Sequence, residues 1–435
     1  GETVADIPVS ALTDEAPRYE RPMASKGEQG RTKDDEGAAI EPLSVRAANR
    51  DPTLMEEPGA SVGGGMDVVQ PAPPTAPVFQ DNPKAVSLND ALLRLLASPN
   101  LASKEWVYRQ YDHMVRTNTV VLPGADAAVV RIKETRRALA MTLDGNGLYC
   151  AANPREGAKL IVAEAARNVV CVGARPLAIT NCLNFASPER PHVMWSFSEV
   201  IDGMAEACRA FETPVVSGNV SFYNETEGRG ILPTPVIGMV GLINDVRRVV
   251  QPSFKRAGDL IALLGTTEDD LSLGDYMAVI EGRTTDEMIQ QGRVPRLDLE
   301  RERAVQDACL RAAEAGLLNS AHDCADGGLA VALAESCFSS LNHAATGAEV
   351  ELPGSLPHCT GLFSESPSRI IISFDPSALG QIEEIALRAA CPFALLGRVG
   401  TERLRIAADS EELVSLRIDE LEEAWRSSLG AQLQG

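Results

Sequence analysis

Ser217-Gly218-Asn219-Val220-Ser221-Phe222-Tyr223-Asn224-Glu225 packs glycine, amides, hydroxyls and a carboxylate into nine residues, directly after the apolar stretch Thr213-Pro214-Val215-Val216. That chemistry suits a phosphorylated ligand. A glycine lets the backbone approach a phosphate, the Asn219 carbonyl oxygen and the Glu225 carboxylate are hard donors of the kind magnesium prefers, and the Ser221 hydroxyl can donate to a phosphate or amide oxygen. The competing reading is a plain turn, because glycine and short polar residues after a strand serve that purpose too. As a phosphate site, the run is expected to be a short loop opened by a strand at Pro214 to Ser217.

Other residues carry the same ambiguity. Asp126, in Pro123-Gly124-Ala125-Asp126, and Asp144, in Leu143-Asp144-Gly145-Asn146, are carboxylates beside glycine, read either as metal ligands or as Asx turn formers. His322-Asp323 ahead of Gly327-Gly328 is either an acid–base pair or a packing histidine. Ser364-Glu365-Ser366-Pro367-Ser368-Arg369 is either an anion nest or a polar turn in which Arg369 pairs with Glu365.

The elements that must hold these residues follow from periodicity and punctuation. Ser87 caps a helix through Leu96, and Ser103 is expected to cap another from Lys104 to Asp112. Short β segments follow at 119–122, 127–132 and 138–143, then a helix at 157–170, a strand at 176–180, a helix at 192–211 and a buried strand at 234–243. A second unit opens on the apolar run Leu260-Ile261-Ala262-Leu263-Leu264. Its helices are predicted at 298–314, 329–336 and 379–390 and its strands at 369–374 and 393–399. The fold class is α/β (α+β): a β-rich domain with helices on one face at 87–245, then an α/β sandwich domain at 246–410 and a helical tail at 411–435. Residues 23–86 hold Gly63-Gly64-Gly65 and four prolines within 71–77 and few large apolar residues, the composition of a disordered linker.

Charge narrows the partners. Forty Lys plus Arg stand against 61 Asp plus Glu, a net charge of −21, which argues against nucleic acid or an anionic membrane. No apolar run reaches the roughly 18 to 20 residues of a membrane span. The nine cysteines contain no C-x-x-C pair and sit largely in apolar segments, pointing to reduced thiols and a cytoplasmic location.

Taken together, several strings resemble one family in its own order over about residues 104 to 400. They are Tyr108-Arg109-Gln110-Tyr111-Asp112-His113, Pro123-Gly124-Ala125-Asp126, Glu164-Ala165-Ala166-Arg167-Asn168, Thr180-Asn181-Cys182-Leu183-Asn184-Phe185, the Ser217 run, Ala321-His322-Asp323-Cys324 and Phe363-Ser364-Glu365-Ser366. The chain is similar to phosphoribosylformylglycinamidine synthase of the small-chain PurL type, built from two aminoimidazole-ribotide-synthetase-like units. The resemblance implies an ATP-dependent ligase of purine biosynthesis that turns formylglycinamide ribonucleotide and glutamine-derived ammonia into the amidine. Its implied cofactors are ATP and Mg2+.

Residue by residue, the resemblance assigns Asn181 and Gly218 to the nucleotide, Asn219 to the metal and Ser221 to the ribonucleotide. Asn181 stands where the family often has aspartate, so a structural amide is the alternative there, and Leu148 replaces a usual basic residue. Residues 1–22 are similar to the close of the family's first half. None of His113, His192, His322, His343 and His358 sits in the family's catalytic histidine motif, so no catalytic residue is assigned. The expected partners are a PurQ-type glutaminase, a small PurS-type subunit, and a missing N-terminal half or a second copy of the chain. The alternatives are a catalytically silent partner-binding module or another enzyme of the superfamily, such as a selenophosphate synthetase or thiamine-monophosphate kinase.

Overall fold

A computed structural model describes residues 21–24, 86–340, 343–354 and 356–434. The expected end of a preceding half and the expected linker therefore lie outside the described residues, apart from 21–24 and 86. Among the described residues, 21–24 and 189–194 belong to one compact unit and the remainder to a second. In the first, Arg21 Nη1 donates to Glu189 Oε1 at 3.0 Å.

The larger unit begins with α1 (Leu88–Leu96), whose N-cap Ser87 accepts from the Asp90 amide, and the short α2 (Glu105–Tyr108). The helix expected to reach Asp112 stops at Tyr108, and the Ser103 hydroxyl accepts from the Glu105 amide. A first sheet contains β1 (Thr119–Val121), β2 (Ala128–Arg131), β3 (Ala138–Asp144), β4 (Arg175–Asn184), β5 (Val215–Ser221) and β8 (Thr234–Ile243). Its order is β1-β2-β3-β8-β4-β5, and β5 runs parallel to β4 at one edge. Between its strands lie α3 (Gly147–Ala152), α4 (Pro154–Cys171) and α5 (Pro191–Phe211), followed by the two-residue strands β6 (Glu225–Thr226) and β7 (Arg229–Gly230).

The second sheet takes the order β10-β12-β9-β13-β11-β14-β15. It is built from β9 (Leu260–Leu264), β10 (Leu318–Asp323), β11 (Ala348–Glu351), β12 (Ile370–Phe374), β13 (Phe393–Val399), β14 (Arg403–Ala408) and β15 (Glu411–Arg417). Every residue of β9 and β12 is buried, because helices cover both faces. One face packs on α8 (Leu299–Ala315) and α11 (Leu379–Ala389), the other on α1 and α9 (Gly328–Cys337). The remaining helices are α6 (Asp275–Val279), α7 (Thr285–Gln291), α10 (His358–Phe363) and α12 (Ile418–Gln434). Residues 411–417, expected in the helical tail, instead form β15, which pairs antiparallel with β14 and buries Leu413, Val414 and Leu416, with the register shifting at Leu413.

One helix joins the two sheets. α4 is rich in alanine and valine, buries 13 of its 18 residues, and packs on β3 and β8 on one side and on α8 and β10 on the other. Small side chains allow that double contact, so the polar Glu164, Arg167 and Asn168 on α4 are carried into the seam between the domains.

The opposite face of the first sheet is open. Leu143 is 75% exposed, and Met141, Leu177 and Val240 are each more than a third exposed. Alternation along β3 places Leu139, Met141 and Leu143 on this face, while Ala138, Ala140 and Asp144 face α4.

Candidate functional site

The run expected to be a loop is mostly strand. β5 continues through Ser221 because each of its residues from Ser217 onward pairs in register with β4: Gly218 with Asn181, Cys182 with Asn219, Asn184 with Ser221. Only Phe222 to Asn224 lies outside a strand before β6. Polar composition hid this, because an edge strand with one solvated side does not need the apolar alternation of a buried one.

Strand pairing brings the four assigned residues together but divides them between two faces. Asn181 shares its face with buried Ile179 and Leu183, toward the helices, and Gly218 sits beside it there. A Cβ on Gly218 would stand 2.3 Å from Asn181 Oδ1, so glycine is what gives the asparagine side chain its room. Asn219 and Ser221 alternate onto the open face. Asn219 Nδ2 approaches Cys182 Sγ at 3.9 Å, and the Ser221 hydroxyl donates to Asn224 Oδ1 at 3.2 Å. Because β5 is the edge, a ligand can reach both faces around it and meet the strand's unpaired backbone groups on the way. Asn219 offers one neutral hard oxygen of the kind a divalent cation accepts.

A second constellation lies at the seam. Asp144, Ile237, Asn181 and Gly218 form one register row across β3, β8, β4 and β5, which places Asp144 about 10 Å from Asn181 at the usual strand spacing. Asp144 lines a cavity of about 400 Å³ together with Asp126, Asn168, His322, Asp323, Asp326 and Glu335. Asn168 Nδ2 donates to Asp144 Oδ1 at 2.8 Å, and burial lifts the Asp144 carboxyl to about 7. Asp126 Oδ2 and Asp323 Oδ2 are buried and find no hydrogen-bond partner among the described residues. Buried carboxylate oxygens left in that state cost free energy unless a cation or donor reaches them. Among the described residues the carboxylates that converge closely enough to hold a cation are instead Asp275, Asp326 and Glu365, whereas Asp126 and Asp323 are engaged by His322 and Arg167.

Of the two readings the sequence left for His322, the structure shows the packed, hydrogen-bonded one and not a pair with Asp323. Its Nδ1 bonds Asp126 Oδ1 at 2.8 Å and its Nε2 bonds Glu335 Oε2 at 3.0 Å. Burial opposes its charge, but the two carboxylates overcome that and hold the imidazole protonated well above its ordinary range. Asp323 instead receives Arg167 Nε at 2.7 Å, and Arg167 Nη1 donates to Glu302 Oε2 at 2.8 Å. The Ser364 to Arg369 segment is a polar turn, but without the expected pairing of Arg369 with Glu365. Arg369 is fully buried and donates to the Ser366 and Ser364 carbonyls and to Thr267, not to Glu365.

Glu365 turns the other way. Its Oε1 accepts from the amides of Asp275 at 2.7 Å and Gly327 at 2.9 Å, and its Oε2 accepts from the Tyr149 hydroxyl at 3.0 Å. Burial, with Asp326 and Asp275 nearby, lifts its carboxyl to about 8. The folded state therefore holds a proton here that the unfolded chain, with an ordinary value near 4.3, releases earlier. Stability from this group is full at acid pH and declines as pH rises toward 8. Glu365→Gln imitates the protonated form and should flatten that decline. Thermal unfolding from pH 5 to 9 is expected to show wild type losing ground to the variant across this window, and parallel curves would refute the assignment.

Comparison with known proteins now decides the family. Residues 124–243 match the AIR synthase related protein N-terminal domain, and residues 256–408 match the AIR synthase related protein C-terminal domain. The phosphoribosylformylglycinamidine synthase subunit PurL of Anaeromyxobacter dehalogenans is 43% identical over 445 aligned residues, which cover 100% of this chain and 52% of that protein. The chain belongs to the AIR synthase related family, in its PurL branch. It spans about half the length of the curated relatives it matches, corresponding to their C-terminal half.

Solved structures agree on the fold. Thermotoga maritima PurL complexed with FGAR superposes with a TM-score of 0.62 at 20% identity, covering 77% of this chain and 53% of that one. The same PurL complexed with ATP gives 0.57 at 22% identity, covering 69% and 47%.

Proposed function

We propose that this chain supplies the nucleotide, metal and substrate contacts of an ATP-dependent phosphoribosylformylglycinamidine synthase whose site is completed by a second synthetase-like unit. The observation that carries this reading is the pairing of Asn181 with Gly218, next to Asn219 and Ser221, on an exposed sheet edge in a PurL-branch chain. The backbone at Gly218 and the Asn181 amide hold the nucleotide, Asn219 offers its oxygen to Mg2+, and Ser221 orients the formylglycinamide ribonucleotide. Bound Mg2+ would neutralise phosphate oxygens, so that the amide oxygen can be phosphorylated and ammonia can then displace phosphate.

None of these four side chains is a proton acceptor of suitable basicity, so the chain contributes positioning and electrostatics rather than a base. The open apolar face around Leu143 and Val240 is the surface on which the second unit, an N-terminal half or a second copy, would pack. A glutaminase and a small subunit would deliver ammonia. No described helix is long and apolar enough to cross a membrane, and all nine cysteines are free, which supports a cytoplasmic enzyme.

The test is reconstitution. The purified chain, given formylglycinamide ribonucleotide, MgATP and ammonia, should form no amidine, and addition of the N-terminal half of a PurL relative should restore it. Turnover by the chain alone, or none after reconstitution of a folded complex, would reject the proposal.

A further inference from the structure

The ends of three strands share one row on the open face. Asn184, the last residue of β4, is half-buried and pairs in register with Ser221 at the end of β5 and with Thr234 at the start of β8. Its side-chain amide is fixed. Nδ2 donates to the Cys182 and Thr234 carbonyls, both at 3.2 Å, and because a carbonyl can only accept, that end of the amide is the nitrogen. Oδ1 therefore points away from those carbonyls. Its one described contact is Cys182 Sγ at 4.0 Å, a weak donor at long range, so the oxygen's acceptor capacity is largely unused. The hydroxyls in the same row already donate elsewhere, Ser221 Oγ to Asn224 Oδ1 at 3.2 Å and Thr234 Oγ1 to the Leu232 carbonyl at 2.8 Å.

Cys182 Sγ also stands 3.9 Å from Asn219 Nδ2, so one sulfur lies against the amides of both Asn184 and Asn219. Asn184 thus flanks two ligand contacts at once. Resting on the proposed function, the metal-bound phosphate lies at Asn219 and the ribonucleotide at Ser221, and the group that must come between them is the reacting amide. Its nitrogen carries a hydrogen. When the amide oxygen attacks the γ-phosphorus, an O–P bond forms and the bond from phosphorus to the departing ADP oxygen breaks. The nitrogen's lone pair moves into a C=N bond, and the N–H becomes positively charged. We infer that Asn184 is a substrate-binding residue whose Oδ1 accepts this N–H and stabilises the charge that develops during phosphorylation. The bonds that hold Nδ2 orient the oxygen beforehand, so it needs no reorganisation as the charge appears.

The reconstituted enzyme tests this with Asn184→Ala and Asn184→Asp. Both lose the bonds to the Cys182 and Thr234 carbonyls, and only aspartate keeps an acceptor, so the difference between them isolates the oxygen. Alanine should lower kcat about 10- to 100-fold, the scale of one hydrogen bond to a charged group, with KM for MgATP within about threefold. Single-turnover ADP formation should slow by the same factor, because the loss falls on phosphorylation. Aspartate, although no more stable than alanine because its carboxylate faces two carbonyls, should be the more active of the two. A purely structural role predicts the reverse, with activity following thermal stability. Wild-type kcat in Asn184→Ala, or alanine more active than aspartate, overturns the inference while the reconstituted wild type still turns over. Absence of wild-type turnover overturns the proposed function and this inference with it.

Discussion

Arg167→Met should cost about 3–5 kcal/mol of stability, the largest loss expected from any single substitution away from the β4–β5 edge. The guanidinium is 3% exposed and serves two carboxylates from different elements, Glu302 on α8 and Asp323 at the end of β10. Glu302 is fully buried, and its other contacts, from Gln306 Nε2 at 2.8 Å and Ser368 Oγ at 2.6 Å, carry no charge. Methionine would fill much of the arginine's volume yet leave two carboxylates facing each other without a cation. Breaking one side of a buried pair costs far more than the pair itself contributes, since desolvated charge then stands uncompensated. Lysine should rescue only in part, because a single ammonium cannot span two partners as the planar fork does.

The deficit should depend on pH with a definite sign. Burial already raises the Asp323 carboxyl above its ordinary value despite Arg167, and loss of the guanidinium lets it climb further. The folded variant then binds a proton that the unfolded chain lacks, so the variant recovers stability as pH falls from about 8 to 5. Urea unfolding midpoints of both proteins across that range provide the measurement. A loss under about 1 kcal/mol, or a deficit independent of pH, would show that α4 is not electrostatically tied to the second domain.

This triad also marks where sequence reading stops. The apolar run Leu260 to Leu264 announced a strand buried on both faces, and Asp298 announced the start of α8, because both signals are local. Arg167, Glu302 and Asp323 are 135 and 156 residues apart in sequence, and no periodicity links them. The one available hint was three polar residues, Glu164, Arg167 and Asn168, within the small, apolar second half of the helix. Arg369 misled for the same reason: proximity to Glu365 suggested a pair, whereas Glu365 is claimed by Tyr149, 216 residues away. The candidate residues of the β4–β5 edge were legible as a set, since Asn181, Gly218, Asn219 and Ser221 do meet across those strands. Its division between two faces was not, because that depends on whether the run is loop or strand, and the pairing partner decides it.

Asn219→Ala in the reconstituted enzyme should lower kcat/KM by roughly 30- to 1000-fold, about 2–4 kcal/mol of transition-state stabilisation, the range for one well-placed electrostatic contact. The structure makes this a clean experiment. Asn219 is exposed on an edge strand, and its one described side-chain hydrogen bond is the long contact to Cys182 Sγ. Truncation leaves no buried polar group unsatisfied, so stability should change by less than about 0.5 kcal/mol. Ser221→Ala, two residues on, should act mainly on ribonucleotide KM if, as proposed, its hydroxyl meets the substrate and not the metal. Raising magnesium should recover part of the Asn219→Ala loss, because the missing ligand weakens metal binding before it affects chemistry. Asn219→Asp keeps an oxygen at the same place and should retain more activity than alanine. Equal activity of Asn219→Ala and wild type at every magnesium concentration would remove Asn219 from the metal site, and would leave the edge of β5 to bind the nucleotide through Gly218 and Asn181 alone.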